Sequence, residues 1–209
     1  MYKFSYFVII LATLSSCGFN QEEGLPILGQ RDIDKATGET HYQEIRDFSF
    51  VNQDSVIVTN ATFENGIYVA DFFFTSCPTI CPKVAKQMHR LYVKYENDDR
   101  IKFLSHSIDY RRDSVPRLKE YATKLGVEAP KWNFVTGDKR AIYDIAYDYM
   151  TTALEDTTIL GGFDHSGALT LIDNKRHIRS FCDGTDPKSV DKFMKDIDWL
   201  LENMPEDEK

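Results

Sequence analysis

Cysteine is scarce in this chain: four in 209 residues, at Cys17, Cys77, Cys81 and Cys182. So few exclude a disulfide-stapled scaffold. Basic charge is in deficit, with 25 Lys+Arg against 33 Asp+Glu, a formal charge of −8 and a pI near 5.1. That balance excludes a phosphate-backbone binder, which needs a basic face, so no nucleic-acid partner is expected. Long hydrophobic runs are missing too; the stretch from Tyr6 to Leu14 is about half the ~20 residues that span a bilayer. There is no internal repeat and no low-complexity segment. What is present is 42% hydrophobic residues, too many for a disordered chain. A single domain of this length buries roughly 70% of its unfolded surface, so one self-sufficient core is expected.

Each cysteine then needs its own explanation. The N-terminus carries one early charge, Lys3, then the short apolar stretch and Leu14-Ser15-Ser16-Cys17. This is the layout of a secretory signal peptide over residues 1–16. Leu-Ser-Ser-Cys also resembles the lipobox of bacterial lipoproteins, in which the cysteine becomes the lipidated first residue. The expectation is an exported, membrane-anchored protein on the periplasmic side of a bacterial envelope. A plain signal peptide whose cut site adjoins a cysteine is the alternative. Residues 17–25 read as a lipidated tether, residues 26–204 as the folded domain and residues 205–209 as a frayed acidic tail. The eight tether residues after Cys17 reach at most ~29 Å.

Along the domain, residues 41–58 read as strands. Ile67 to Phe74 is a continuous apolar run broken by Asp71, the pattern of a strand buried on both faces. Val84, Met88, Leu91 and Tyr95 then mark one face of a helix reaching about Asn97. Ile101 to Ile108 is a strand, and Val115 to Leu125 a helix stopped by Gly126. Trp132 to Val135 is a strand, and residues 138–147 form a helix. Residues 168–173 and 177–182 form a hairpin, and Asp186-Pro187 opens a last helix. Residues 147–160 fit either a long loop or an extra hairpin. Strands alternating with helices, then a closing hairpin and helix, give an α/β domain with a central mixed sheet flanked by helices. The order matches a thioredoxin-like fold with an N-terminal β extension.

Cys77 and Cys81 fall where the buried strand gives way to a helix. Unpaired N–H groups and the positive dipole end at a helix start favour thiolate over thiol. Each precedes a proline, which biases the pair toward a rigid turn capping the helix. A structural disulfide across so small a loop gains little. A peroxidatic cysteine prefers a proline about seven residues upstream, where Ala70 stands. Zinc needs a fourth strong ligand that is not apparent. Two readings stay open, a copper site and a dithiol redox centre.

Histidine separates them. His89 and His177 read as surface residues, His106 as a satisfied core imidazole, and His41 is unassigned. His165 stands in the glycine-flanked loop Gly161-Gly162-Phe163-Asp164-His165-Ser166-Gly167. In a thioredoxin-like topology that loop packs beside the cysteine turn. Two thiolates and an imidazole form a soft set suited to Cu(I), and to Cu(II) with further ligands. Cys182, on a predicted strand, reads as a small buried hydrophobe.

The run Phe74-Thr75-Ser76-Cys77-Pro78-Thr79-Ile80-Cys81-Pro82 resembles the signature of the Sco/SenC family of copper-binding, thioredoxin-like proteins. Ser107-Ile108-Asp109 with Arg112-Asp113-Ser114, Trp132-Asn133-Phe134-Val135-Thr136-Gly137, and Asp164-His165-Ser166 continue the resemblance in order, from about Leu25 to Leu201. The resemblance implies a copper site of Cys77, Cys81 and His165, with Asp109 beside it or merely capping a turn. It also implies a metallochaperone serving the binuclear copper site of cytochrome c oxidase, with that enzyme's copper-bearing subunit as partner. A thiol-disulfide reductase acting through Cys77 and Cys81 on an exported protein is the alternative. The chain departs from the family pattern at Tyr110-Arg111, where a proline commonly follows the aspartate.

Overall fold

The computed structural model describes residues 24–156, 158 and 161–204, and only the backbone of Asp164 and His165. The predicted signal peptide, Cys17 and the acidic tail lie outside the described residues. The last two tether residues belong to the body. Arg179 donates to Leu25 O at 2.6 Å and to Pro26 O at 3.2 Å, and a Cβ on Gly24 would meet the Trp199 ring at 2.8 Å.

β1 (Arg31–Ile33) and β2 (Thr40–Tyr42) form a small exposed antiparallel ribbon. β3 (Ser49–Asn52) and β4 (Ile57–Thr59) enter the main sheet, and a 3-10 turn (Asn60–Phe63) leads to β5 (Ile67–Phe73). Next come α1 (Cys81–Lys94), β6 (Ile101–Ser107), α2 (Val115–Leu125), β7 (Trp132–Thr136) and α3 (Lys139–Asp148). β8 (Ala153–Glu155) and β9 (Phe163–His165) make a separate two-stranded hairpin. β10 (Ala168–Ile172), β11 (Ile178–Asp183) and α4 (Pro187–Asn203) close the chain. The sheet order is β11-β10-β5-β6-β7-β3-β4. β5, β6 and β7 run parallel, and the flanking strands are antiparallel. This is the expected mixed, thioredoxin-like sheet.

Local chemistry accounts for the helix ends. Gly126 takes φ 70° to cap α2, a left-handed geometry that glycine adopts without a Cβ penalty. Asp138 accepts from Ala141 N at 3.0 Å at the start of α3. Asp186 accepts from Lys188 N and Ser189 N at the start of α4. α1 begins earlier than the apolar periodicity suggests. Cys81 is its first residue rather than part of a turn outside it, because Pro82 in a first helical turn gives up no needed N–H.

β5 is buried along its whole length, and alternation gives its two faces different work. On one face Ser105 Oγ donates to the Asp71 carboxylate and receives Trp132 Nε1 at 2.9 Å. Tyr92 of α1 packs on Phe103 and Trp132, and Tyr121 of α2 on Phe73. On the other face Phe48, Phe50, Phe72 and Tyr149 surround His106. His106 is fully buried, as expected, but it is not satisfied: neither ring nitrogen meets a hydrogen-bond partner among the described residues. His177 is also no surface residue. Its side chain is 13% exposed, 3.6 Å from Asp173 and edge-on to Tyr42. Cys182 is buried on β11, and burial pushes its thiol up to about 12.

Candidate metal and thiol centre

β5 delivers the chain to Phe74, and a carboxylate from across the sheet fixes the next residue, Thr75. Asp113 accepts from Thr75 N at 2.9 Å, Thr75 Oγ1 at 2.5 Å and Ser107 Oγ at 2.6 Å. Arg117 donates to Thr75 Oγ1 at 2.7 Å. The segment just before the first cysteine is thereby tied to the end of β6 and the start of α2. Asp113 itself is wholly buried, and its oxygens take up the local donors. The motif containing Asp113 is visible in the sequence, but its partner Thr75 lies 38 residues away, so only folding identifies the role.

The chain then turns so that Cys77 N donates to Phe74 O at 3.2 Å, and Cys81 N donates to Cys77 Sγ at 3.4 Å. The Thr79 hydroxyl lies 3.7 Å from Cys77 Sγ. Both thiols are buried. On Cys77, burial is the largest single influence and acts upward. Hydrogen bonds from the Thr79 backbone, the Cys81 thiol and backbone, and the Thr79 hydroxyl together outweigh it, so this thiol lies below its ordinary value. On Cys81 burial dominates and holds the thiol far above its ordinary value, with the charges of Cys77 and Asp71 adding to the effect. Asp71 is fully buried behind the turn; burial raises it to about 7, the Ser105 hydrogen bond offsetting part. The sequence shows Asp71 as an interruption of a hydrophobic run, the one local sign of it.

The β8–β9 hairpin brings the other predicted ligand's backbone to this turn. Gly161, at φ +99°, lies so close that a Cβ would meet Phe74 Cζ at 3.0 Å and Pro78 Cδ at 3.2 Å. Gly167, at φ +66°, would meet Ile80 Cδ1 at 3.1 Å and Val84 Cγ2 at 3.5 Å. Between them Phe163 packs its ring on Phe74 at 4.9 Å, and His165 pairs in register with Ala153. The glycines on either side of β9 therefore lie close against the two ends of the cysteine turn, while the His165 side chain lies outside what is described. Thr151 and Ser166 share a hydrogen bond of 2.7 Å at the base of the hairpin.

Asp109 is 2% exposed. Its carbonyl accepts from Arg112 N at 3.1 Å and Asp113 N at 2.9 Å, and its Oδ1 from Arg112 N at 3.3 Å, so it does cap a turn. Its Oδ2 is buried without a hydrogen-bond partner among the described residues, although the Arg112 guanidinium approaches to 3.5 Å. Among the described residues no three His, Cys, Asp or Glu side chains converge as a metal cluster. The donors that do converge are two cysteine sulfurs at one helix start, a soft pair that fits Cu(I) and supports dithiol chemistry equally. No helix among the described residues is long and apolar enough to cross a membrane.

A family model described as SCO1/SenC matches residues 36–202. A curated relative, the SCO1 protein homolog of Bacillus subtilis, is 35% identical over 96 residues. That match spans 45% of this chain and about half, 49%, of the relative. Among solved structures, a SCO1/SenC family lipoprotein from Bacillus anthracis superposes with a TM-score of 0.69 at 24% identity, covering 76% of this chain and 95% of that one. Arabidopsis thaliana ScoI with copper bound superposes with a TM-score of 0.62 at 23% identity, covering 75% and 98%.

Proposed function

The chain belongs to the SCO1/SenC family, and from that premise we propose that it is an envelope-anchored copper carrier whose site is Cys77, Cys81 and His165. One observation carries the reading: the hairpin holding position 165 is packed, through Gly161 and Gly167, on both ends of the turn that joins the two cysteines. Two residues before position 165 on the same strand, the Phe163 ring meets Phe74, which supports the reading. The copper-bound Arabidopsis relative supports the same metal. Asp109, whose buried Oδ2 has no hydrogen-bond partner among the described residues and faces the Arg112 guanidinium at 3.5 Å, is the proposed tuning group beside the site.

The cargo would pass to a copper-bearing partner by stepwise ligand exchange. By family resemblance that partner is the copper subunit of cytochrome c oxidase, and delivery matures its binuclear site. Cys17 would carry the lipid that keeps the protein on the membrane, a reading supported by the Leu-Ser-Ser-Cys motif and by a structural relative that is a lipoprotein. With Gly24 and Leu25 docked on the body, residues 17–23 are the tether, roughly 25 Å at full extension.

The opposed shifts of the two thiols favour a second reading, thiol-disulfide exchange. The Cys77 thiolate attacks a partner disulfide, forming a mixed disulfide and releasing one partner thiolate. Cys81, once deprotonated, attacks the Cys77 sulfur. This leaves a Cys77–Cys81 disulfide and a partner reduced by two electrons. The two roles are compatible, because cysteines must be reduced to bind copper.

Histidine decides between them. His165→Ala in the reduced full-length chain is expected to weaken Cu(I) binding strongly, measured by competition with a chromophoric chelator, while Cys77–Cys81 disulfide formation survives. Unchanged affinity would rule out the three-ligand site. In-cell function that tolerates His165→Ala but not Cys77→Ser would assign the protein to the reductase reading.

A further inference from the structure

The hairpin that carries position 165 is secured unevenly. Its β9 side rests on Phe74, but on β8 Leu154 is 54% exposed and Glu155 is exposed as well. Ala153 anchors that strand's start in the core, and charge secures its exposed end. The Glu155 carboxylate lies 2.8 Å from Lys139 Nζ and 4.0 Å from Arg111 Nη2. Lys139, the first residue of α3, also sits over the rings of Tyr110 at 5.4 Å and Tyr143 at 5.3 Å. Arg111 lies over the Tyr110 ring at 5.2 Å and donates to its hydroxyl at 2.8 Å. Tyr143 in turn donates to Ile108 O at 3.1 Å, which fixes its ring to the end of β6. One carboxylate thus joins three elements: the hairpin, the start of α3, and the loop that carries Asp109. The cluster is built on Tyr110-Arg111, where this chain departs from the family pattern.

We propose that Glu155 is a positioning residue. By latching β8 to Lys139 and Arg111, it sets how firmly the hairpin holds position 165 against the cysteine turn, and so how readily that ligand is withdrawn when metal is handed on. The inference rests on the proposed ligand role of His165. A partly exposed ion pair suits this task better than buried apolar packing, because it holds the strand weakly and yields to salt or to a charged partner.

A thermodynamic cycle tests it, using Cu(I) affinity of the reduced full-length chain by chelator competition. Glu155→Gln is expected to weaken binding about twofold to fivefold at low salt, with the difference closing near 1 M salt. Exchanging the charges, Glu155→Lys with Lys139→Glu, restores part of the affinity, the new lysine still facing Arg111. In the His165→Ala background Glu155→Gln has no further effect. In the metal-free protein, Glu155→Gln speeds amide exchange at residues 153–155 without moving the unfolding midpoint. Wild-type affinity and exchange in Glu155→Gln, with His165→Ala still weak, overturn the latch and leave the three-ligand reading standing. An equal loss from Glu155→Gln in both backgrounds also overturns it, since Glu155 then acts without position 165. No effect of His165→Ala overturns the ligand reading itself and the latch's role with it.

Discussion

Burying an imidazole without a well-formed hydrogen bond destabilises a fold, and among the described residues neither His106 nitrogen makes one. The ring lies between Phe72, stacked at 4.7 Å, and Phe48 and Phe50, with only a weak pull from the Asp71 backbone. Burial pushes it down to about 3, the backbone of Asp71 offsetting a little. His106→Leu removes the orphaned nitrogens and should raise stability by about 1–3 kcal/mol in urea unfolding at pH 7. The pH signature is sharper. Unfolded, His106 takes up a proton below about 6.5; folded, it resists until about 3, so its contribution falls as pH drops through that window. Asp71 works the other way: protonated in the fold up to about 7 but ionised above 3.8 when unfolded, it lowers stability as pH rises between them. The two slopes offset each other in the wild type between pH 4 and 6.5. His106→Leu exposes the Asp71 slope, so its stability should decline with rising pH there, by up to ~1.4 kcal/mol per pH unit. A flat profile in the variant would contradict this assignment. The sequence marks Asp71 only as a break in an apolar run and His106 only as a strand residue; the burial cost of each depends on what the other strands bring against it.

At the scale of elements, the decisive contact is between a glycine and a ring. Gly161 and Gly162 both have positive φ, yet only Gly161 abuts the cysteine turn; Gly162 has nothing within 4 Å of a Cβ position. Alanine at either position carries a backbone penalty of about 1–2 kcal/mol. Gly161→Ala must also displace Phe74 or Pro78, so it should move the hairpin and weaken Cu(I) binding, while Gly162→Ala binds near the wild-type level. Chelator competition on the pair separates strain from displacement, and equal affinities would refute the packing argument. The α2 end and the α4 start are legible in the sequence because caps are local: Gly126 stops one, Asp186-Pro187 opens the other. The β8–β9 hairpin is ambiguous there because its strands have three residues each, too short for periodicity to register. β1 leaves no sequence signal for the same reason, with all three residues exposed.

For the whole molecule, the parallel trio β5-β6-β7 presents the cysteine turn at its carboxyl end, and the separate hairpin closes over that end from a later part of the chain. The surface excess of acid does not build the centre, whose proposed donors are two thiols and an imidazole. The proposed lipid anchor carries its own prediction: Cys17→Ser should shift the protein from the membrane fraction to the soluble fraction, read by fractionation and blotting. Retention on the membrane would reject the lipid anchor. The cysteine turn at a strand-to-helix junction and the glycine and aspartate helix caps are written in the amino-acid order because they depend on neighbours a few residues apart. The mixed sheet is legible from the order of strands and helices, and the candidate ligand set from motifs spaced along the chain. That Asp113 grips Thr75, that Asp71 is a raised carboxylate behind Cys81, and that Gly161 rests on Phe74 emerge only on folding. Those facts depend on groups dozens of residues apart meeting in a dry interior, where burial and the available partners set both charge state and position.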